Sequence, residues 1–398
     1  MSRHGSRQPP LPIAKPILQT FGQTSRVEAV VEDIPVWFES DDAVLDPCPE
    51  AFASAFLIPG LNKYRPLKLD TPLDPFWLDN CQKLLKLLNA WWSYPPLQPI
   101  AQRGQVSTSP QQAMALCFTG GVDSFHSLLR GNEPPNYVLF VHGYDIPLAD
   151  TVRMAAVRAS LAEVAAARAV NLLIIRTNLR DHPSFRGTDW EHAHGGALAA
   201  AGHLLSSVIG RLVVPASYTY SNFHPWGTSW NIDPLWSSSR FQMVHGDASL
   251  WRADKLKAIV HEPLVRRHLR VCWENRRPTG NCGICEKCIR TMIALELVGE
   301  LANFPAFDLG EPLPKLIDQA RPISRPLLSV YEGFLQRDIS PELRTAIHRW
   351  LGRSRPKPDR LWRFKAVYRW LNGRLREVRS GLADVTKKFL SWSKRSWR

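Results

Sequence analysis

The stretch Ala113–Arg130, AMALCFTGGVDSFHSLLR, constrains the fold more than any other part of the chain. It opens with an apolar run, Ala113, Met114, Ala115, Leu116, Cys117 and Phe118, long enough for a buried strand. A tight polar turn follows, Thr119-Gly120-Gly121-Val122-Asp123-Ser124. The period then becomes helical, with Phe125, Leu128 and Leu129 on one face. A strand, a glycine turn and a helix start together make an anion site. Free backbone N–H groups and the positive helix end point at the same place. Adjacent glycines let the backbone close around a phosphate with no Cβ in the way. Ser124 can donate its hydroxyl to phosphate oxygens. Asp123 cannot hold phosphate by charge, so a carboxylate here implies Mg²⁺ bound along with the phosphates. The Lys-Ser/Thr ending of a Walker loop is missing. An ordinary Gly-Gly connection is the plainer alternative.

Downstream, strand and helix patterns alternate. Tyr137–His142 reads as a strand, Ala149–Ala169 as an alanine-rich helix and Leu172–Thr177 as a strand. Glu191–Ile209 then reads as a helix and Arg211–Pro215 as a strand. This alternation predicts an α/β fold, a Rossmann-like parallel sheet with helices on both faces. In such sheets ligands lie at the carboxyl ends of the strands. Those ends carry Thr119–Ser124, His142-Gly143-Tyr144-Asp145, Thr177-Asn178 and Ala216-Ser217-Tyr218, expected to meet in one crevice. The segment YTYSNFHPWGTSWNIDPL, Tyr218–Leu235, is expected to be a loop above it. Such a loop either holds a flat substrate or packs on its own rings. His192 and His194 do not share a helical face and read as polar positions near the crevice mouth. His203, among apolar neighbours, reads as a core histidine.

Four segments are expected: a Pro-rich arm (1–25), a small α+β unit and linker (27–110), the domain of the phosphate turn (111–300) and a helical extension (301–398). In the second, VEAVVEDIPVWFES has strand-like stretches from Val27, Glu50–Leu57 suits a short helix and Tyr64–Leu69 a strand. Asp74-Pro75 reads as an N-cap and first helical residue. Behind it, Trp77, Leu78, Cys81, Leu84, Leu85, Leu88 and Trp92 form a core stripe at helical spacing. Tyr94–Gln112, rich in Pro, Gln and Ser, reads as a linker.

Four of the seven cysteines lie in VCWENRRPTGNCGICEKCIRT. Cys272, Cys282, Cys285 and Cys288 follow C-x9-C-x2-C-x2-C. Two overlapping C-x2-C steps bring three thiolates onto one ion through tight turns, the first eased by Gly283. Cys272 completes a tetrahedron across a Pro-Gly turn. Structural zinc suits four thiolates at this spacing, and an Fe–S cluster is the competitor. A closed set of four ligands keeps no open position and does no chemistry. Clustered cysteines point to a reducing compartment; Cys48, Cys81 and Cys117 read as small packed side chains. The N-terminus MSRHGSRQPPLP shows no secretory signal and no apolar run suits a membrane span, so a cytoplasmic protein is expected.

The turn resembles the Ser-Gly-Gly-x-Asp-Ser signature of the PP-loop ATP pyrophosphatases, with Thr119 keeping the hydroxyl of the first serine. Together with the cysteine set ending Cys285-Glu286-Lys287-Cys288-Ile289-Arg290, the resemblance narrows to the 7-cyano-7-deazaguanine synthases, over about Ala113–Leu297. It implies ATP bound by Thr119, Gly120, Gly121, Val122, Asp123 and Ser124, with adenine held by backbone near Val141 and His142. It also implies Lys255, in ADKLKAIV, near phosphate or substrate; a surface lysine on an amphipathic helix is the alternative. Only Asn231-Ile232-Asp233-Pro234 loosely meets the family's substrate loop. The implied activity is attack of a carboxylate on the α-phosphorus of ATP, releasing pyrophosphate, then displacement of AMP by ammonia or another amine. A second round would turn the amide into a nitrile. The implied carboxylate is 7-carboxy-7-deazaguanine or a similar small molecule.

Charge is uneven. Trp350–Arg398 holds fifteen Lys/Arg and three acids, a net +12 of the chain's +14, which leaves +2 for the other 349 residues. Five tryptophans (Trp350, Trp362, Trp370, Trp392, Trp397) and a possible apolar stripe accompany them. Such a tail suits an anionic membrane surface, RNA, or a helix docked on the enzyme with a solvated basic face. Two further readings follow: an RNA-modifying PP-loop enzyme that holds RNA with this tail, and a non-catalytic, zinc-stabilised nucleotide-binding interaction protein.

Overall fold

The computed structural model describes residues 8–106, 111–307, 310–324 and 327–355. The N-terminal third forms β1 (Leu11–Ile13), β2 (Ile17–Phe21), β3 (Thr24–Val31), β4 (Ile34–Ser40), α1 (Pro49–Asn62), β5 (Leu67–Leu69) and α2 (Pro75–Trp92). Alternation follows: β6 (Met114–Cys117), α3 (Val122–Arg130), β7 (Tyr137–His142), α4 (Thr151–Ala167), β8 (Asn171–Thr177), α5 (Trp190–Leu204), β9 (Arg211–Val214) and β10 (Gln242–His245). Six helices close the described chain: α6 (Arg252–Ile259), α7 (Pro263–His268), α8 (Glu286–Leu297), α9 (Leu313–Gln319), α10 (Leu328–Leu335) and α11 (Pro341–Ser354).

Strand alternation sorts side chains between two cores. On β6, Ala115 and Cys117 enter one core and Leu116 the other. Leu139 and Val141 on β7 join the first, Val138 and Phe140 the second. The first core is roofed by α1, α2 and α5, the second by α3, α4, α6 and α8. The protein is therefore α/β, with helices on both faces of a sheet. Five adjacent strands, β10-β9-β6-β7-β8, run parallel. The chain turns one way from β6 to β7 and β8, then crosses through α5 to β9 on the other side of β6. The order reverses between β6 and β9, and ligands of such sheets bind at that reversal.

The expected arm at 1–25 is corrected: within it, residues 8–25 carry β1, β2 and the start of β3. Leu11 and Ile13 are fully buried, and β1 lies between β3 and β5. The prolines that suggested an arm flank or, as Pro12, sit within a strand held by long-range pairing, which local composition does not record. Nor do the N-terminal strands form a sheet of their own. Antiparallel β4 pairs with β8, Phe38 opposite Thr177 and Glu39 opposite Arg176, so one sheet of ten strands runs through both segments. Side chains reinforce the seam: Thr177 donates to Trp37 O at 2.7 Å, Ser40 to Ile174 O at 2.8 Å, and Arg176 pairs with Glu39 and Asp41 at 2.9 Å each. The expected linker from Tyr94 is partly a sheet margin, with Ile100 bridging Lys68 and Arg103 bridging Leu73.

Asp74 caps α2 as expected, accepting the Trp77 N–H at 3.0 Å. The helix expected at Glu50–Leu57 extends to Asn62 through Pro59. Trp350, counted with the tail, is instead a core residue of α11, stacked edge-on against Tyr331 with Nε1 donating to Arg321 O. Residues 351–354 complete α11, and the basic tail from residue 356 on lies outside the described residues. Among the described residues, no helix is long and apolar enough to cross a membrane.

His203 is a core histidine, fully buried, with Nε2 2.9 Å from Trp236 O. Burial holds it down to about 4. The unfolded chain therefore binds a proton that the folded one refuses between about pH 6.5 and 4, and stability falls as pH falls through that window. The shift corresponds to about 3 kcal/mol at full titration. His203→Gln should flatten this part of the Tm-against-pH curve in thermal scans; an unchanged slope would contradict the assignment.

Candidate active site and metal centre

β6 ends where Phe118 N–H donates to Leu139 O at 2.8 Å. Thr119 is exposed and Gly120 takes φ +76°, a left-handed conformation glycine adopts without strain. Gly121 is the N-cap of α3. The Ser124 hydroxyl donates to Gly121 O at 3.0 Å rather than facing out. A helical serine back-bonds in this way when no better acceptor is offered. Asp123 sits in the first turn of α3, where a carboxylate suits the positive helix end.

Asp123 Oδ2 pairs with Arg252, and Oδ1 lies 4.0 Å from Lys255 Nζ while accepting no hydrogen bond. Arg252 and Lys255 stand three residues apart on α6, which packs against α3. Lys255 is not a surface lysine: it is 2% exposed and donates to Ala216 O at 2.7 Å. The amphipathic pattern of ADKLKAIV suits either face, and the tie to the end of β9 decides for the inside. Burial pushes Lys255 and Arg252 down from their usual range, and Asp123 pulls both back.

α8 brings three more charges. Arg290 lies 3.2 Å from Glu286 one turn earlier. Burial opposes its charge, yet Glu286, then Tyr331, Tyr218 and Asp123 hold Arg290 above its usual range. Lys287 is exposed, with Asp145, Arg252 and Arg290 within electrostatic reach. Beside the turn, Arg270 N–H donates to Gly120 O at 2.8 Å. The Nε atoms of Arg252 and Arg270 are buried without hydrogen-bond partners, and that of Arg290 has only its ion pair with Glu286. Five cations thus surround three carboxylates at the carboxyl edge of the sheet. The surplus is positive, which suits a multiply charged anion. The donor set also fits a divalent cation shared with phosphates, through Asp123 Oδ1.

The predicted adenine region divides. Leu139 O points toward β6, and backbone alternation turns the N–H and C=O of Val141 to the same side. β6 pairs β7 only to Cys117–Leu139, so Val141 faces past its end. The backbone of His142 turns toward β8, opposite Arg176, and its ring Nε2 lies 3.1 Å from Pro147 O. Val141 therefore faces the open end beyond β6, and His142 faces β8.

Cys272, Cys282, Cys285 and Cys288 come together, all buried, with their sulfurs within 4.8 Å of one another and Cys272–Cys285 at 4.0 Å. A tetrahedral ion at about 2.3 Å from each sulfur needs them about 3.8 Å apart. A cubane puts each cysteine on a different iron and spreads the sulfurs further. The set can bind zinc. Gly283 takes φ +78°, and Cys285 N–H points at Cys282 Sγ from 3.3 Å. Hydrogen bonds among the four thiols push Cys272 down and Cys285 and Cys288 up, and a bound ion would hold all four as thiolates. Asn281 fastens the two arms, its Oδ1 accepting from the Val271 and Cys272 N–H groups and its Nδ2 donating to Leu269 O. Cys272 is two residues from Arg270, and Cys285 caps α8. The cysteine cluster therefore ties together the segments that carry Arg270, Lys287 and Arg290 beside the Thr119–Ser124 turn.

Above the crevice, the expected loop has two layers. Tyr218, His224 and Trp226 pack on one another and on His194, and burial pushes the Tyr218 hydroxyl up to about 12. An outer row, Tyr220, Phe223 and Trp230, is exposed, and Phe223 packs on Trp91. His192 stacks on Trp92 at 3.9 Å and bonds the Tyr94 hydroxyl; His194 bonds Thr228. Sequence reasoning missed Arg252, whose signal was its three-residue spacing from Lys255. It also assigned no role to Arg270 or Asn281, which flank cysteines without any repeat to mark them.

No family model matches this chain, and neither a curated protein nor a solved structure matches it.

Proposed function

We propose that this protein is an ATP-dependent, adenylating enzyme of the PP-loop type, on a Rossmann-like domain, that activates a small carboxylate and joins it to ammonia or another amine. The observation that carries the reading is the Thr119–Ser124 turn at the strand-order reversal, ringed by Arg252, Lys255, Arg270, Lys287 and Arg290. The substrate carboxylate attacks the α-phosphorus; the bond to the β,γ-phosphates breaks and pyrophosphate leaves with the electron pair. The turn's N–H groups and the surrounding cations stabilise charge on that leaving group. Mg²⁺, when bound at Asp123 Oδ1 with the phosphates, would supply Lewis acidity there. Arg252 holds Asp123 in place, and Lys255 spans from Asp123 to the end of β9. The outer aromatic row supports a flat ring system in the carboxylate, such as 7-carboxy-7-deazaguanine. It also favours a second reading, in which that ring is a base of RNA.

The test is AMP and pyrophosphate release from ATP, with 7-carboxy-7-deazaguanine and ammonium or with RNA. Asp123→Ala should lower release at least about 100-fold. Release dependent on the acid supports the first reading and release dependent on RNA the second. Absence of ATP binding would overturn both, leaving a zinc-stabilised interaction protein.

A further inference from the structure

At the carboxyl end of β10, His245 meets Asp233. Asp233 is fully buried in the turn Asp233–Trp236, and its Oδ1 accepts the Ser229 N–H at 3.0 Å. Its Oδ2 lies 2.7 Å from His245 Nδ1. A carboxylate fixed on Nδ1 keeps the proton on that nitrogen and leaves the Nε2 lone pair outward. Nε2 makes no hydrogen bond among the described residues, and the His245 side chain is 7% exposed.

Strand register locates the ring. His245 pairs with Val214 on β9, and β9 pairs with β6 one step earlier, Leu116 opposite Val213. His245 is therefore level with Cys117 across two strand spacings, about 9.6 Å. Met243 and Cys117 share one core, and period-two alternation puts His245 on that same face. Gly246 N–H then donates to Val214 O at 2.7 Å, and Asp247 follows within electrostatic reach of Lys255. The ring thus stands at the carboxyl end of the sheet, one strand beyond β9 from the reversal between β6 and β9. The titratable groups facing the dyad are few. Its own turn offers Asp233, β6 offers the buried Cys117 thiol, and Lys255 and Asp247 lie beyond. Burial first, then Asp233, pushes the Cys117 thiol up, so it stays protonated.

We infer that His245, oriented by Asp233, is the proton acceptor for the nucleophile that captures the activated carboxylate. The inference rests on the adenylation reading above. The amine lone pair attacks the acyl carbon and the C–N bond forms. Nε2 takes a proton from the nitrogen, the C–O bond to AMP breaks, and AMP departs with that electron pair. The products are an amide, AMP and one proton on the imidazole, later released to water. Burial pushes the Asp233 carboxyl up, the His245 hydrogen bond and charge pull it back down, and the pair steadies the imidazolium.

The experiment separates the two halves in the full-length protein. Pyrophosphate release in a single turnover with ATP and 7-carboxy-7-deazaguanine reads the first. Amide formation with ammonium, and hydroxamate formation with hydroxylamine, read the second. Hydroxylamine is neutral near pH 7 and attacks with little help from a base. His245→Gln should leave pyrophosphate release within about twofold and lower amide formation at least about 100-fold, with hydroxamate formation largely retained. Asp233→Asn should act in the same direction and abolish the Nδ1–H tautomer signal of His245 in ¹⁵N NMR. Amide formation near the wild-type rate in His245→Gln overturns the inference alone. An equal fall in both halves without hydroxylamine rescue also overturns it, and assigns the pair a structural role. If the wild type releases no pyrophosphate with this acid, the adenylation reading falls and the inference with it.

Discussion

Cys288→Ser should abolish zinc binding at the four-cysteine cluster and loosen the Thr119–Ser124 turn at the same time. Metal analysis of the wild type should find one zinc per chain and the variant less than a tenth of that. Three remaining thiolates bind a tetrahedral ion far more weakly, and binding at such sites is itself folding free energy. The thermal midpoint should fall by about 5 °C or more, since loss of several kcal/mol is worth a few degrees per kcal/mol even in a large domain. The damage should reach beyond the cysteines. Cys272 is two residues from Arg270, whose N–H holds Gly120 O, and Cys285 caps the helix bearing Lys287 and Arg290. Hydrogen exchange should accordingly rise in residues 119–124 as well as 270–290. Rise confined to the cysteine segment would separate the metal from the crevice. Visible absorbance of an iron–sulfur chromophore, in place of zinc, would reverse the choice of metal.

Lys255→Met should weaken binding of a non-hydrolysable ATP analogue about 100-fold, read by calorimetry, while shifting thermal stability little. The two effects part because of where the ammonium sits. It is buried, donates to Ala216 O and faces Asp123 from 4.0 Å. Charge in so dry a position costs solvation, and methionine of similar shape removes that cost together with the attraction. A polyphosphate brought to the turn loses a charge-assisted bond and gains nothing back. Lys257→Met, exposed on the same helix, is the control and should bind the analogue like wild type. Equal weakening in both variants would mean that only general positive potential matters, and salt would then abolish the difference.

The parts of the site legible in the sequence were those whose geometry is set by neighbours along the chain. Thr119–Ser124 is a strand end, a glycine turn and a helix start within a few residues, and Cys282, Cys285 and Cys288 sit on adjacent turns. Local spacing nearly determines both. β7 was read to its residue limits because five apolar or aromatic residues and His142 between turn signals leave little choice. What the sequence hid was decided at a distance. Leu11 and Ile13 become a strand only because β3 and β5 flank them. β10, four residues long, has no pattern apart from its register with β9. The inward turn of Lys255 depends on a carbonyl 39 residues earlier. Asp233 lay in the fragment compared with a substrate loop, and its tie to His245 required the end of β10 to be in place. Burial of a charge is a tertiary decision, and propensity carries no record of it.

The seam between β4 and β8 also sets a timetable for synthesis. Trp37 and Thr177, joined across it, are 140 residues apart in the chain. At 5–20 residues per second the ribosome takes roughly 7–28 s to deliver the second after the first. Throughout that interval β4 has completed its hairpin with β3 but presents an open row of N–H and C=O groups on its other side. The newborn N-terminal third is thus a half-sheet waiting for its partner, the kind of edge on which chains adhere to one another. Its safety depends on chaperones shielding that edge or on rapid delivery of Asn171–Thr177, so slow translation between the two would be costly to yield in a way the finished fold does not betray.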